Sequence, residues 1–429
     1  MSQPNRHPRN GEIAQYTDHY FNRTKQVIGK FGDSNVTYAI FMRRPVVFAP
    51  RLALDWLRET GHSRNTEIEI DQRYGEGKWV GAGEPMMYIT GSFFHLVDLE
   101  TIFLQKLGPA CVAAYNAWTM CADMPKTAFL AMDARHCAGQ EMAEMMAYAA
   151  SVGSARAKRK VDAVGFIGNA THATAHFFGR DKGMGTMPHA LIGYAGSTVR
   201  AAEMFHETFP GEPMTVLVDY FAREVSDSLD VCRRFPDLAQ KGMLSFRLDT
   251  TGGRYVEGLD PASSYAVLEK YAPGSIRGYR SEEELRYLVG TGVSAAAIYH
   301  LRAELDRAGY RNTKIVASSG FGPAKCRIMA EAKTPIDVVG SGSFLPSNWT
   351  ETYATADIVE YDLDSEPVDP KAPRGFLERY IHGEAYKARP EVMSVVHNHS
   401  PTVVPFSVTG VPMRGLFHMA AFVSDGLPV

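Results

Sequence analysis

Hydrophobic positions near the start of the chain follow a period of two. Val36-Thr37-Tyr38-Ala39-Ile40-Phe41 alternates as a half-buried strand does, and Leu52 to Leu57 suggests a short helix. The run from Trp79 to Gly91 reads as strand, turn, strand, with Gly83 and Pro85 marking the turn. From Leu96 to Thr119 the period becomes helical, because Leu96, Leu99, Ile102, Phe103 and Leu107 fall on one stripe. Residues 1–125 are therefore expected to form a small α+β domain.

From about Phe129 to Val339, short β-branched runs alternate with helical stretches. The strands are expected at Thr127–Leu130, Ala163–Ile167, Thr215–Asp219, Leu244–Leu248, Ile315–Ser318 and Ile336–Val339. Between them the pattern predicts helices at Gln140–Lys160, Ser197–Phe209, Arg223–Phe235, Ser281–Leu288, Ser294–Ala308 and Pro323–Ala332, with Ser281 to Glu284 as a capping box. Such alternation calls for a parallel sheet, and six or more repeats favour a (β/α) barrel over an open sheet, here spanning 126–357. Beyond Tyr361 an acidic, proline-rich stretch, Asp362 to Pro373, reads as a linker or turn-rich loop. A helix at Phe376–Arg389 and a strand at Met393–His399 follow, so 358–429 is expected to be a partial α/β segment.

Charge narrows the partners. With 45 Lys and Arg against 48 Asp and Glu, net −3, the chain lacks the basic field that nucleic-acid binding relies on. Five scattered cysteines without a CxxC pair suit a reducing cytoplasm. No apolar run approaches the roughly 20 residues of a spanning helix, so the expectation is a cytoplasmic protein without a membrane partner.

Candidate chemistry gathers where strands end. Ile315-Val316-Ala317 runs into Ser318-Ser319-Gly320, and Ile336 to Val339 runs into Gly340-Ser341-Gly342-Ser343. Glycine admits close backbone approach, and successive N–H groups with serine hydroxyls can enclose a phosphate at the carboxyl end of a barrel. Asp133, Arg135, Asn169, Thr171, Asp219, Arg247 and Asp249 also follow or close strands on that face. Arginine neutralises phosphate oxygens and carboxylates hold Mg²⁺. The loop Gly183 to His189 carries Thr186 and a titratable imidazole.

Together these motifs resemble the nicotinate phosphoribosyltransferase family over about 16–361. Thr17-Asp18-His19-Tyr20 looks like its N-terminal segment, Gly83-Glu84-Pro85 its GEP turn and Leu99-Glu100-Thr101 its LET helix. Gly185-Thr186-Met187-Pro188-His189 resembles the segment whose histidine ATP phosphorylates in characterised members. Asp133-Ala134-Arg135, Leu217-Val218-Asp219, Arg247-Leu248-Asp249, Ser319-Gly320 and Gly340 to Ser343 resemble its strand ends. The resemblance implies a (β/α) barrel of the type II phosphoribosyltransferase kind and a homodimer. Its implied substrates are nicotinate and phosphoribosyl pyrophosphate, with Mg²⁺ and ATP.

By the same resemblance, His189, Asp219 and Asp249 are catalytic. Tyr20 borders the pyridine, Arg135 pairs with its carboxylate, and Thr186, Arg247, Ser319, Gly320, Gly340, Ser341, Gly342 and Ser343 bind substrate. Two departures stand out. Thr250-Thr251-Gly252-Gly253 replaces the family's Ser-Gly-Asp after Arg247-Leu248-Asp249, and His136 follows Arg135 in place of a second arginine.

The tail resembles the middle of the class II aldolase and adducin-type family, through Glu378, Ala388-Arg389-Pro390-Glu391 and Val395-Val396-His397-Asn398-His399. There the His-x-His pair supplies two Zn²⁺ ligands and a glutamate at the place of Glu378 acts as acid and base. On a strand, His397 and His399 share a face. A catalytic zinc normally takes three protein ligands, and His418 does not occupy the third ligand's place. The tail is thus expected to be inactive as a lyase, or to be a binding module.

Overall fold

A computed structural model describes residues 10–276, 278–342, 354–358, 384–385 and 387–389. Two compact units divide the chain, Met1–Asp357 and Ile358–Val429. The calls for Ser343, Glu378, His397, His399 and His418 lie outside the described residues. In the second unit, Lys387 pairs with Glu384 at 2.8 Å.

After helices Ile13–Tyr16 and His19–Phe31 the first unit carries strands β1 (Asn35–Met42), β2 (Val46–Val47), β3 (Ile68–Gln72), β4 (Trp79–Val80) and β5 (Met87–Ser92). Antiparallel pairing places β5 between β1 and β3. Along β1 the alternation predicted from sequence puts Tyr38, Ile40 and Met42 into the core. A late strand, β12 (Ala354–Ile358), joins the other edge of β1.

The long helix stripe proves to be three pieces. A turn of helix at Phe93–Leu96 and a 3₁₀ turn at Val97–Leu99 lead into a helix at Glu100–Asp123. The break sits where buried Asp98 accepts from Arg64 at 2.6 Å and from Lys25 at 2.8 Å. Helix Glu100–Asp123 packs along helix Gln140–Val161, with Gly153 at the contact: a Cβ there would lie 2.8 Å from the Trp118 nitrogen.

The parallel sheet comprises β6 (Ala128–Ala131), β7 (Gly165–Asn169), β8 (Met214–Leu217), β9 (Leu244–Leu248), β10 (Lys314–Ala317) and β11 (Val338–Ser341). Their order is β7-β6-β11-β10-β9-β8. Strands such as β10 are buried on both faces, hence their unbroken apolar runs. All six expected strands are present within two residues of their predicted bounds, and Ser281 and Glu284 form the expected capping box.

Among the described residues no ladder joins β7 to β8, so the barrel is open there. The loop around Gly183 bridges the opening: Met184 N donates to the Asn169 carbonyl of β7 at 2.7 Å, and the Thr186 hydroxyl donates to the Thr215 carbonyl of β8. Glycine is required at 183, where a Cβ would stand 2.7 Å from the Ala170 carbonyl. Helices His19–Phe31 and Pro261–Tyr271 and strand β3 have no counterpart in the sequence reading. Among the described residues no helix is long and apolar enough to cross a membrane.

Candidate active site

A cavity of about 870 Å³ opens at the carboxyl ends of the parallel strands. Each strand turns there into a loop, and the loops bring together groups separated by two hundred residues of sequence. Arg135 lines it from the 3₁₀ turn after β6, Thr186 from the bridging loop, and His189 from the start of helix His189–Ala195 that follows the loop. Arg247 and Asp249 line it from the end of β9, Ser319 and Gly320 from the turn after β10, and Gly340 and Gly342 from the end of β11.

His189 Nε2 lies 3.2 Å from each oxygen of Asp219. Asp219 is largely buried, which pushes its carboxyl up; His189 opposes that shift and the charge of Asp249 adds to it. Behind it, Arg254 donates to the Asp219 carbonyl at 2.9 Å and pairs at 2.5 Å with Glu224, which has no exposed surface. Thr250 also donates to Glu224, at 2.8 Å. The threonine that departs from the family's pattern therefore serves a buried support, while Gly252 lies beside Arg286.

Arg247 is mostly buried, and burial pulls its pKa down against the charges of Asp249 and Asp219. Its Nη2 stands 4.0 Å from Asp249, and its Nε has no hydrogen-bond partner among the described residues. Asp249 accepts from Ser318 Oγ at 2.8 Å. A guanidinium that lines a cavity with its nearest carboxylate at 4.0 Å is prepared for an anion. Ser319 and Gly320 follow with φ of 72° and 73°, a conformation that is costly for serine.

Other expected residues are placed differently. Tyr20 is 61% exposed, bonded to Asp18, and is not among the residues lining the cavity. Ser341 is fully buried and its hydroxyl goes to the Phe321 carbonyl at 3.2 Å. Asp133 is buried behind the 3₁₀ turn, and burial lifts its carboxyl to about 6. Asn169 donates to Thr171 at 3.1 Å, while Thr171 itself lines the cavity. Sequence reasoning missed His172, Arg254 and Lys325, whose contacts with Gly183, Asp219 and Ser319 follow from how the loops fold back and leave no local pattern.

Among the described residues no three His, Cys, Asp or Glu side chains are grouped to hold an ion. Mg²⁺ needs only one or two carboxylates when substrate phosphates supply further oxygens, and Asp249 on the cavity wall meets that demand.

Comparison with known proteins places the first unit by fold. The structure of nicotinate-nucleotide pyrophosphorylase from Pyrococcus furiosus matches with a TM-score of 0.61 at 23% identity, covering 87% of this chain and 82% of that one. The Ehrlichia chaffeensis protein of the same name matches at 0.52 and 12% identity, covering 81% and 96%. Human nicotinic acid phosphoribosyltransferase matches at 0.51 and 13%, covering 84% and 77%. The likeness read from the motifs thus extends to the fold.

Residues 346–429 match the family model of the class II aldolase and adducin N-terminal domain, beginning before the 358 expected from sequence. Over 76 residues the chain is 46% identical to decarboxylase tropJ of Talaromyces stipitatus, a span of 18% of this chain and 29% of that protein. The chain therefore spans under a third of the length of the curated relative it matches.

Proposed function

We propose that the first unit is a phosphoribosyltransferase that forms nicotinate mononucleotide and pyrophosphate from nicotinate and phosphoribosyl pyrophosphate, with ATP hydrolysis coupled to the transfer. The observation that carries this reading is one cavity lined by His189, which pairs with Asp219, by Arg247 with its unpartnered Nε, and by the left-handed Ser319–Gly320 turn. Proteins of the same fold are named for nicotinate chemistry, which supports the choice of base.

In the transfer, the lone pair of the pyridine nitrogen forms a bond to C1 of the ribose while the C1–oxygen bond breaks and pyrophosphate leaves with that electron pair. Positive charge grows on the sugar and negative charge on the leaving group. Arg247 stabilises the leaving group, Arg135 pairs with the nicotinate carboxylate, and the glycine and serine turns fix the 5′-phosphate, so that the reacting atoms are held in line. Mg²⁺ on Asp249 would neutralise pyrophosphate oxygens.

Asp219 gives His189 its second role. A carboxylate accepting from Nε2–H leaves the imidazole lone pair on Nδ1. That nitrogen attacks the γ-phosphorus of ATP, ADP leaves with the bonding pair, and a phosphohistidine forms beside the pyrophosphate site. The same reading takes a cytoplasmic homodimer, in which Tyr20 reaches a pyridine ring only from a second copy.

Purified protein incubated with nicotinate, phosphoribosyl pyrophosphate and Mg²⁺, with and without ATP, tests this directly. Nicotinate mononucleotide that rises with ATP is the expected result; folded protein that gives no product overturns the choice of base. The match at 346–429 supports a second reading, a zinc-dependent lyase or adducin-like binding module in the tail. His397 and His399 supply two of three ligands there, so metal analysis before and after replacing both with alanine tests it.

A further inference from the structure

A second cavity of about 620 Å³ lies on the other side of the Ser319–Gly320 turn. Gly320 belongs to the walls of both cavities, whereas Lys325 lines only the second. Lys325 is the third residue of helix Pro323–Glu331 and is 6% exposed. Its Nζ donates to the Ser319 carbonyl at 2.8 Å and stands 4.3 Å above the Phe321 ring. Among the described residues no carboxylate lies within ion-pair distance of it, so the bond to the turn is the polar contact that its charge makes there.

We infer that Lys325 is a positioning residue: its ammonium, anchored in the second cavity, pins the Ser319 carbonyl and so holds the left-handed turn in the shape that receives the 5′-phosphate. The inference rests on the turn being a phosphate site, as proposed above. Two observations support it independently of sequence likeness. Ser319 carries a Cβ at a φ of 72°, so something must hold the turn, and the lysine is buried without a counter-ion, an arrangement whose cost calls for a compensating role. A positive charge behind the turn also adds to the field that draws a phosphate to its front.

Titration gives the pin a signature. Burial pulls the Lys325 amine down to about 7; Arg286 acts in the same direction, and Cys326 and Asp249 oppose. The titratable groups that line the second cavity with it are Arg44, Tyr115, Asp123, Glu283, Tyr287 and Arg327. As pH rises through about 7 the ammonium loses its proton, and a neutral amine donates a weaker bond than an ammonium does. Phosphate affinity should weaken accordingly, whereas arginine in this place stays charged.

Calorimetric binding of ribose 5-phosphate to the full chain, at pH 6.5 and 8.5, tests the inference without requiring turnover. Lys325→Met is expected to weaken binding at pH 6.5 by about tenfold or more, the scale of a lost charge-assisted bond, and Lys325→Arg to restore most of it. The ratio of wild-type to Lys325→Arg dissociation constants should grow between the two pH values; the ligand's own ionisation is common to both and cancels. With phosphoribosyl pyrophosphate as substrate, the loss should fall on its KM and leave the KM for nicotinate in place. Equal affinity in wild type and Lys325→Met overturns the pin and leaves the proposed function standing. If Lys325→Met does not fold, a wild-type pH dependence identical to that of Lys325→Arg overturns it instead. Absence of ribose 5-phosphate binding by wild type removes the phosphate turn itself, and the inference with it.

Discussion

Nε2 of His189 is equidistant, at 3.2 Å, from both carboxylate oxygens of Asp219. Two residues thirty positions apart, one at the start of the helix after the loop that bridges the barrel's opening and one past the end of β8, thereby fix which imidazole nitrogen faces outward. Arg254 and Glu224 in turn hold Asp219.

Replacing Asp219 with asparagine keeps the shape and removes the charge. ATP stimulation of nicotinate mononucleotide synthesis should then fall by about a hundredfold, the lower end of what a positioned acid–base group contributes. Transfer without ATP should fall far less. His189→Ala should lose the stimulation and keep slow transfer; stimulation that survives either change removes the phosphohistidine role.

Arg247 lines the cavity, and its buried Nε has no hydrogen-bond partner among the described residues. Arg247→Met should lower kcat/KM for phosphoribosyl pyrophosphate by about 10- to 150-fold, equivalent to 1.5–3 kcal/mol for hydrogen bonds to a charged group. Arg247→Lys should rescue little of this, because an ammonium cannot reproduce the planar fork. Steady-state kinetics with varied phosphoribosyl pyrophosphate decide the matter.

Asp133 is a buried carboxylate whose pKa rises to about 6 because burial disfavours its charge. The folded form holds the proton more tightly than the unfolded chain, whose reference value is 3.8. Its contribution to stability is therefore present at low pH and is lost as pH rises from about 4 to 6, by roughly 3 kcal/mol at most. Asp133→Asn should unfold at a higher temperature than wild type at pH 7.5, and the gain should shrink at pH 4.5. A gain independent of pH would mean that packing, and not charge, sets the difference.

Gly153 is where helices Glu100–Asp123 and Gln140–Val161 touch. A methyl group has no room against the Ala114 carbonyl and the Trp118 nitrogen, both of them backbone. Gly153→Ala should therefore cost about 1–3 kcal/mol, visible as a lower unfolding temperature. The folded fraction should retain its substrate KM values, since Gly153 lies outside the cavity wall.

Local sequence determined the parallel strands, six of the helices between them and, through the residue types at 281 and 284, the capping box, because strands buried on both faces and amphipathic helices leave local patterns. It also placed Arg135, Arg247, Asp249 and the Ser319–Gly320 turn on one face, since residues after parallel strands share an end of the sheet; His189 came from its glycine-rich loop and the family resemblance. Helix Pro261–Tyr271 escaped because, among its residues, only Ser264 and Leu268 are buried, too few to mark a stripe. Strand β3 escaped because its edge position exposes most of it.

Only the tertiary structure decided where the barrel opens, which of the strand-end residues face the cavity, and what supports them. Ser341 turns inward to the Phe321 carbonyl and Tyr20 stays outside, although both sit in motifs. Lys325 reads in sequence as one more helix lysine, yet it meets the Ser319 carbonyl six residues back. The physical reason is the same throughout: a local pattern records whether a side chain is buried, whereas its partner is fixed by how the loops and the chain fold back, over six residues at Lys325 and twenty at Ser341.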